Sequence, residues 1–112
     1  MYLYDNGSSN ARFATVYTVN KIQMSYFNTL HALVIPKRTN TGNIKIAATT
    51  QNTTTTTLTG LASTVAISDI TVFTTDVSQE ITVDISGLND LYYIAIQAQN
   101  GSRPEIYEIW FT

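Results

Sequence analysis

The segment Ile81-Thr82-Val83-Asp84-Ile85 alternates apolar and polar side chains at every position. This period of two places Ile81, Val83 and Ile85 on one face, as expected of a strand with one buried and one solvated face. Short apolar runs separated by turn residues recur along the chain, and none repeats with the 3.6-residue period of a long amphipathic helix. The sequence therefore predicts an all-β protein, an antiparallel β-sandwich of eight or nine strands with little or no helix.

Polar turn sequences separate the predicted strands, which we place at 11–18, 21–24, 29–36, 43–50, 64–68, 70–75, 80–85, 91–99 and 105–111. The segments 40–43 and 99–102 are predicted hairpin connections, because Asn and Gly tolerate the positive φ of tight turns. The threonine-rich block 52–59 is predicted to be a mobile loop or an edge strand, since Thr favours extended backbone. A chain of 112 residues holds one hydrophobic core, so residues 1–112 are expected to form a single domain.

The predicted core collects the apolar residues that recur at strand spacing. Its members are Val16, Ile22, Met24, Leu30, Ala32, Val34, Ile44, Ile46, Val65, Ile67, Val72, Ile81, Val83, Ile85, Ile94, Ile96, Ile106 and Trp110.

The last two predicted strands are apolar on both faces. A strand of this kind lies in the middle of a sheet or carries a second contact surface. On that basis Tyr107, Ile109 and Phe111 are predicted to form a subunit interface on the outer face of the final strand. The alternative is that the N-terminal segment Tyr2-Leu3-Tyr4 covers this face.

The composition argues against several classes of partner. The formal net charge is -2, and six scattered Lys and Arg residues form no basic stripe for phosphates, so nucleic acid is not an expected partner. No cysteine is present, which excludes disulfides and thiolate metal sites. We find no signal-peptide pattern and no run of 18 apolar residues, so membrane insertion is not expected.

No group of residues indicates catalysis. His31, the single histidine, lies in an apolar strand and is expected to be a structural or surface residue, because a catalytic His needs a nucleophile and an orienting partner beside it. Eight scattered carboxylates show no recognisable glycosidase pair. Asp76, Asp84 and Asp90 could contribute oxygens to a calcium site, but they lack the spacing of an EF-hand loop. Asp76 and Asp90 resemble turn-forming residues first. The chain is predicted to be a non-enzyme, with no metal or cofactor.

The aromatic residues suggest binding instead. Seven Tyr, four Phe and one Trp occur in a chain that is poor in charge, and exposed rings can pack against the apolar C–H faces of sugars. Tyr2, Tyr4, Tyr26 and Tyr92 are the candidate ligand-binding residues. For any single ring, the alternative is core or cross-strand packing.

The order of several short motifs resembles a known family. The opening Tyr2-Leu3-Tyr4-Asp5-Asn6-Gly7 looks like the "YLYNxG" opening of minor structural and tail-associated proteins of phages and prophages of Firmicutes. The segments at 21–30, 83–88, 92–94 and 106–110 follow in a similar order. Across nearly its whole length the chain resembles the β-sandwich modules of these proteins.

This resemblance implies a jelly-roll-like, galactose-binding-like fold and a place in the virion, after synthesis in the bacterial cytoplasm. It also implies a non-enzymatic tail, fibre or capsid-decorating component that acts in particle assembly or in attachment to a bacterial surface glycan. Copies of the same chain, other virion proteins and a cell-surface glycan are the partners implied. The alternative is a free-standing carbohydrate-binding module or lectin of bacterial origin. A small glycan-active enzyme is a more distant alternative.

Overall fold

The computed structural model describes residues 13–37, 44–53, 57–68, 74–99 and 103–112. Every regular element within these ranges is a β-strand, which confirms the all-β prediction. The eight strands are β1 (Phe13–Tyr17), β2 (Ile22–Gln23), β3 (Thr29–Pro36), β4 (Ile44–Thr49), β5 (Thr64–Ile67), β6 (Gln79–Asp84), β7 (Leu91–Gln99) and β8 (Pro104–Phe111).

The strands form two antiparallel sheets that pack face to face. The five-stranded sheet has the order β1-β7-β4-β5, with β2 also paired to β7, and the three-stranded sheet has the order β6-β3-β8. Apolar side chains from both sheets meet in one buried cluster, including Leu30 and Val34 from β3 and Ile46 and Ile96 from the facing sheet. The β-sandwich prediction is therefore confirmed, whereas jelly-roll connectivity stays a prediction.

The positions of eight predicted strands agree with the structure to within two residues. The remaining one, at 70–75, falls mostly outside the described residues, and its described members Thr74 and Thr75 lie in no strand. Of the threonine-rich block, the described residues also lie in no strand.

The two predicted hairpins are wrong. β3 and β4 belong to different sheets, and so do β7 and β8, so neither pair is hydrogen-bonded. The turn residues 40–43 and 100–102 themselves lie outside the described residues. An Asn-Gly pair signals a reversal of the chain, but in a sandwich the returning strand often joins the opposite sheet. Among the described strands, β4 and β5 are the one pair of sequence neighbours that share a ladder.

A β-bulge in β8 reverses which side chains face the core. Val34 pairs with Ile106 and Leu33 pairs with Glu108, so Tyr107 is an extra residue without a partner in β3. Before the bulge Ile106 faces inward; after it Ile109 lies opposite Ala32, and both face inward. One inserted residue exchanges the two faces of the strand that follows it.

This bulge corrects two predictions. Phe111 lies opposite the buried Leu30 and packs against the core, and Ile109 points into the space between the sheets, so neither lies on the outer face. Trp110, which was assigned to the core, is on the outer face instead, beside His31.

The other core prediction that is wrong has the same cause. Ala48 pairs with Ala66 and Thr49 pairs with Thr64, which leaves Val65 as the extra residue of a bulge in β5, and its side chain is exposed. Ile67 is partly buried and packs against a second cluster, formed by Ala47, Leu58 and Ala95. Val16 and Ile22 are partly buried and pack against the main core. Val72 lies outside the described residues. The members that are confirmed as buried are Met24, Leu30, Ala32, Val34, Ile44, Ile46, Ile81, Val83, Ile85, Ile94, Ile96 and Ile106.

A segment of the chain between β4 and β5 covers the outer face of the five-stranded sheet. Leu58 is fully buried there against Ala47 and Ala95. The turn that carries it is closed by a hydrogen bond from the Leu61 N–H to the Leu58 carbonyl, at 3.2 Å, with Gly60 at φ 75°. The sheet is therefore buried on both faces along β4 and β7, which explains the two-sided apolar pattern of 91–98.

Candidate functional site

The outer face of the three-stranded sheet carries polar and aromatic side chains at its centre. Cross-strand pairing places Thr82, His31 and Trp110 in one row, and Glu80, Leu33 and Glu108 in the next. We call this surface, together with Asp84, the open face, because the side chains of Glu80, Thr82, Asp84 and Glu108 are exposed.

His31 is held by hydrogen bonds at both ring nitrogens. Its Nδ1 lies 2.5 Å from Oε1 of Glu80, and its Nε2 lies 2.7 Å from Oγ1 of Thr112. Its side chain is 15% exposed, whereas that of Glu80 is 46% exposed. These contacts fix the imidazole in place and use both of its nitrogens. The structural role predicted for His31 agrees with this arrangement.

Trp110 stacks on this fixed imidazole. The ring centroids are 4.9 Å apart and the planes differ by 6°, which is a parallel stack. Since His31 lies on β3, the opposite face of the indole points away from β3. Among the described strands, none pairs with β8 on that side. Trp110 therefore presents one flat ring face at the edge of the sheet.

The charge of the open face is negative. Asp84 accepts a hydrogen bond from the Ser86 N–H at 2.9 Å, and hydrogen bonds from the Ser86 hydroxyl and N–H lower the pKa of its carboxyl. In the described part of the chain, the side chain of Glu108 forms no ion pair or hydrogen bond, while its backbone pairs with Leu33. Strands β3, β6 and β8 contain no Lys or Arg.

Lys37, just beyond the end of β3, and Arg103, just before β8, are basic residues at one end of the sandwich. The Nζ of Lys37 lies 3.2 Å from Asp76 Oδ1 and 3.9 Å from Glu105 Oε1. The hydrogen bond with Asp76 and the charge of Glu105 raise the pKa of Lys37. Lys37 is therefore engaged with carboxylates of its own end of the sandwich.

The tyrosines predicted to bind a ligand do not come together. Tyr26 is 84% exposed in the turn before β3, while Tyr92 packs partly against the core opposite Ile22. Tyr2 and Tyr4 lie outside the described residues. Neither described tyrosine belongs to the strands of the open face.

The three aspartates considered for calcium have local roles in turns. Asp84 and Asp90 accept hydrogen bonds from the nearby backbone N–H groups of Ser86 and Leu91, and Asp76 adopts a φ of 62°. Within the described ranges, no three His, Asp or Glu side chains form a group that could hold a metal ion.

An apolar cleft opens between the two sheets, beside β8. Its volume is about 120 Å³, and it is lined by Val16, Tyr17, Thr18, Ile94, Ile96 and Ile109. Ile109 is 37% exposed here, and the neighbouring Tyr107 is 58% exposed, with its hydroxyl donating to Oε2 of Glu105 at 2.5 Å.

Sequence reasoning missed the pairing of His31 with Trp110. The spacing of the apolar residues in the last strand contained the necessary signal: it is three residues from Ile106 to Ile109 and two from Ile109 to Phe111. A step of three inside a strand is the spacing that a bulge produces, because one residue is added between two inward positions.

Comparisons with known proteins identify no relative. A scan against family models, a search of curated proteins and a search of solved structures each returned no match. No helix among the described residues has the length and hydrophobicity needed to cross a bilayer.

Proposed function

We propose that this chain is a non-enzymatic β-sandwich module of a phage structural protein and that it acts in attachment to a bacterial surface glycan. The order of the sequence motifs supports the link to a phage particle. The observation that carries the binding role is the indole of Trp110, which stacks on His31 and leaves its other face directed past the sheet edge.

This geometry suits a sugar ring. The C–H face of a pyranose is apolar and packs on a flat aromatic ring, while carboxylates accept hydrogen bonds from its hydroxyls. Glu108 is two residues from Trp110 on the same face of β8, and its carboxylate is exposed. Because His31 is fixed by two hydrogen bonds, the indole is held in position before a ligand arrives, which lowers the entropic cost of binding.

A glycan array followed by titration calorimetry tests this proposal. We expect binding to at least one bacterial polysaccharide, and we expect Trp110→Ala to weaken it by about tenfold, as loss of one stacked ring of about 1.4 kcal/mol implies. Tyr26→Ala is the matched control, because it removes a more exposed ring from a turn outside the open face. Binding that survives Trp110→Ala unchanged contradicts this site, and no binding to any bacterial glycan contradicts the attachment role.

A role in particle assembly is the second candidate, and the edge of β8 supports it. Tyr107 and Ile109 are both partly exposed on β8, and Ile109 lines the apolar cleft. An edge strand without a partner can pair with another chain. Size-exclusion chromatography with light scattering should then give a stable oligomer that Tyr107→Lys dissociates. A monomer at all concentrations contradicts assembly through this edge and favours the free-standing carbohydrate-binding module.

A glycan-active enzyme would release reducing ends from the bound polysaccharide. We expect none, and hydrolysis that Glu108→Gln abolishes would contradict the non-enzymatic assignment.

A further inference from the structure

The class of glycan that binds can be inferred from the open face, provided that the proposed glycan-binding function is right. We propose that the open face binds glycans that contain protonated amino sugars, in preference to N-acetylated sugars and to glycans that carry carboxylate or phosphate groups.

The first support is the charge around Trp110. Glu80, Asp84 and Glu108 are exposed on the open face, and β3, β6 and β8 supply no Lys or Arg. Lys37 is engaged with Asp76 and Glu105 beyond the strand end, so it does not offset these charges. An anionic glycan would approach three like charges, which disfavours its binding.

The second support is the indole itself. An ammonium group is attracted to the face of an aromatic ring, and Trp attracts it more strongly than Tyr or Phe. One ring face of Trp110 is directed away from β3, and Glu108 lies on the same face of β8 as Trp110. A protonated amine beside a pyranose ring that stacks on Trp110 therefore meets both the ring and the carboxylate of Glu108.

The carboxylates of Glu80 and Glu108, which lie in the row next to His31 and Trp110, have different roles. Glu80 is hydrogen-bonded to His31 and helps to position the stack, so its substitution would disturb the indole as well as the charge. Glu108 makes no such contact within the described residues, and its substitution changes the charge of the face while leaving the hydrogen bonds of His31 in place. Glu108 is therefore the residue on which the preference is tested.

Three tetrasaccharides distinguish the ligand classes. They are the tetramers of glucosamine, N-acetylglucosamine and galacturonic acid, which are cationic, neutral and anionic. Titration calorimetry at about pH 6 keeps the amines largely protonated and the carboxylates ionised. We expect the glucosamine oligomer to bind about tenfold more tightly than the N-acetyl oligomer, because the indole and the Glu108 carboxylate both attract the ammonium group. The uronate should bind most weakly of the three. Raising NaCl from about 0.05 to about 0.5 M should weaken binding of the glucosamine oligomer alone.

Glu108→Gln should reduce the preference for the glucosamine oligomer over the N-acetyl oligomer from about tenfold to about threefold, because Trp110 still attracts the ammonium group. Asp90→Asn is the matched control, because it removes one exposed carboxylate from the loop before β7 and should leave the preference unchanged. Equal affinities, or tightest binding of the uronate, overturn the amino-sugar preference and leave glycan attachment standing. Failure of all three oligomers to bind overturns the preference as well, and only the absence of any hit on the wider array also contradicts the proposed function.

Discussion

Gln97 ties the segment between β4 and β5 to the outer face of the five-stranded sheet. Its side-chain carbonyl accepts a hydrogen bond from the Leu58 N–H at 3.0 Å, and its amide nitrogen donates to the Thr15 hydroxyl at 2.7 Å. Gln97 is fully buried, so these bonds replace water at both ends of the amide. The covering segment is thus attached by a polar contact as well as by the packing of Leu58.

Gln97→Met should destabilise the protein by about 1 to 3 kcal/mol, because it keeps a similar side-chain volume but leaves the Leu58 N–H without its acceptor. Urea unfolding followed by circular dichroism measures the change. Gln23→Met is the matched control at an exposed position of β2, where we expect a change within about 0.5 kcal/mol. Equal effects of the two substitutions would show that the buried amide contributes nothing specific.

Leu58→Ala should cost about 2 to 5 kcal/mol, since it removes a fully buried side chain that packs on Ala47 and Ala95. Leu91→Ala removes the same atoms from a side chain that is 44% exposed, so a much smaller loss is expected. Hydrogen exchange of the Leu58 amide should also accelerate in Leu58→Ala. A loss no larger than that of Leu91→Ala would mean that the covering segment is not part of the cooperative fold.

Gly60→Ala should destabilise the protein by about 1 kcal/mol, because φ at this position is 75° and a Cβ atom disfavours that conformation. Nothing lies within 4 Å of the added Cβ, so the effect is one of backbone conformation and not of collision. Gly87→Ala is the control, since its added Cβ also meets nothing and its φ lies outside the positive range. The midpoint of thermal unfolding should be lower for Gly60→Ala than for Gly87→Ala. The reverse order would contradict the turn described at Gly60.

The reversal of faces in β8 predicts how tryptophan fluorescence responds when the tryptophan is moved by one position. Trp110 is the single tryptophan, and its partly exposed indole should be quenched readily by acrylamide. In the double variant Trp110→Phe and Phe111→Trp, the indole moves to the inward position that packs near Phe27, at 4.9 Å between ring centroids in the parent. Its emission should shift to shorter wavelength and its quenching should fall. If the parent shows the more protected tryptophan, the bulge at Tyr107 is wrong.

The carboxyl of Asp84 predicts a pH effect. Hydrogen bonds from Ser86 hold its pKa below the ordinary value of 3.8, so the folded state releases this proton more readily than the unfolded chain. The stabilisation is complete above that ordinary value and is lost as the pH falls through the lower folded-state pKa. A carboxyl NMR titration should give a midpoint below 3.8, and Ser86→Ala should raise it. Ser78→Ala is the control that should leave it unchanged, and a midpoint at or above 3.8 in the parent would contradict the contact.

The sequence was most informative where the chain alternates regularly. Ile81, Val83 and Ile85 predicted one buried face, and all three are buried, because a regular strand places every second side chain on the same side. The same rule gave wrong faces for Ile109 and Trp110, since one extra residue at Tyr107 reverses the alternation, and pairing partners are not visible in the sequence. The stack of His31 on Trp110 could not be predicted for the same reason, because it depends on the register between β3 and β8, and the two residues are 79 positions apart in the sequence.

The order of strands in the two sheets also determines when the protein can fold. β3 is the middle strand of the three-stranded sheet, and its partners β6 and β8 are both made much later in synthesis. A nascent chain that ends after β7 still exposes one edge of β3 and lacks Ile106 and Phe111 from its core. Pairings of this long range slow folding. A stop codon before β8 would therefore leave one edge of β3 without a partner and remove Ile106 and Phe111 from the core, which costs more than the loss of one strand.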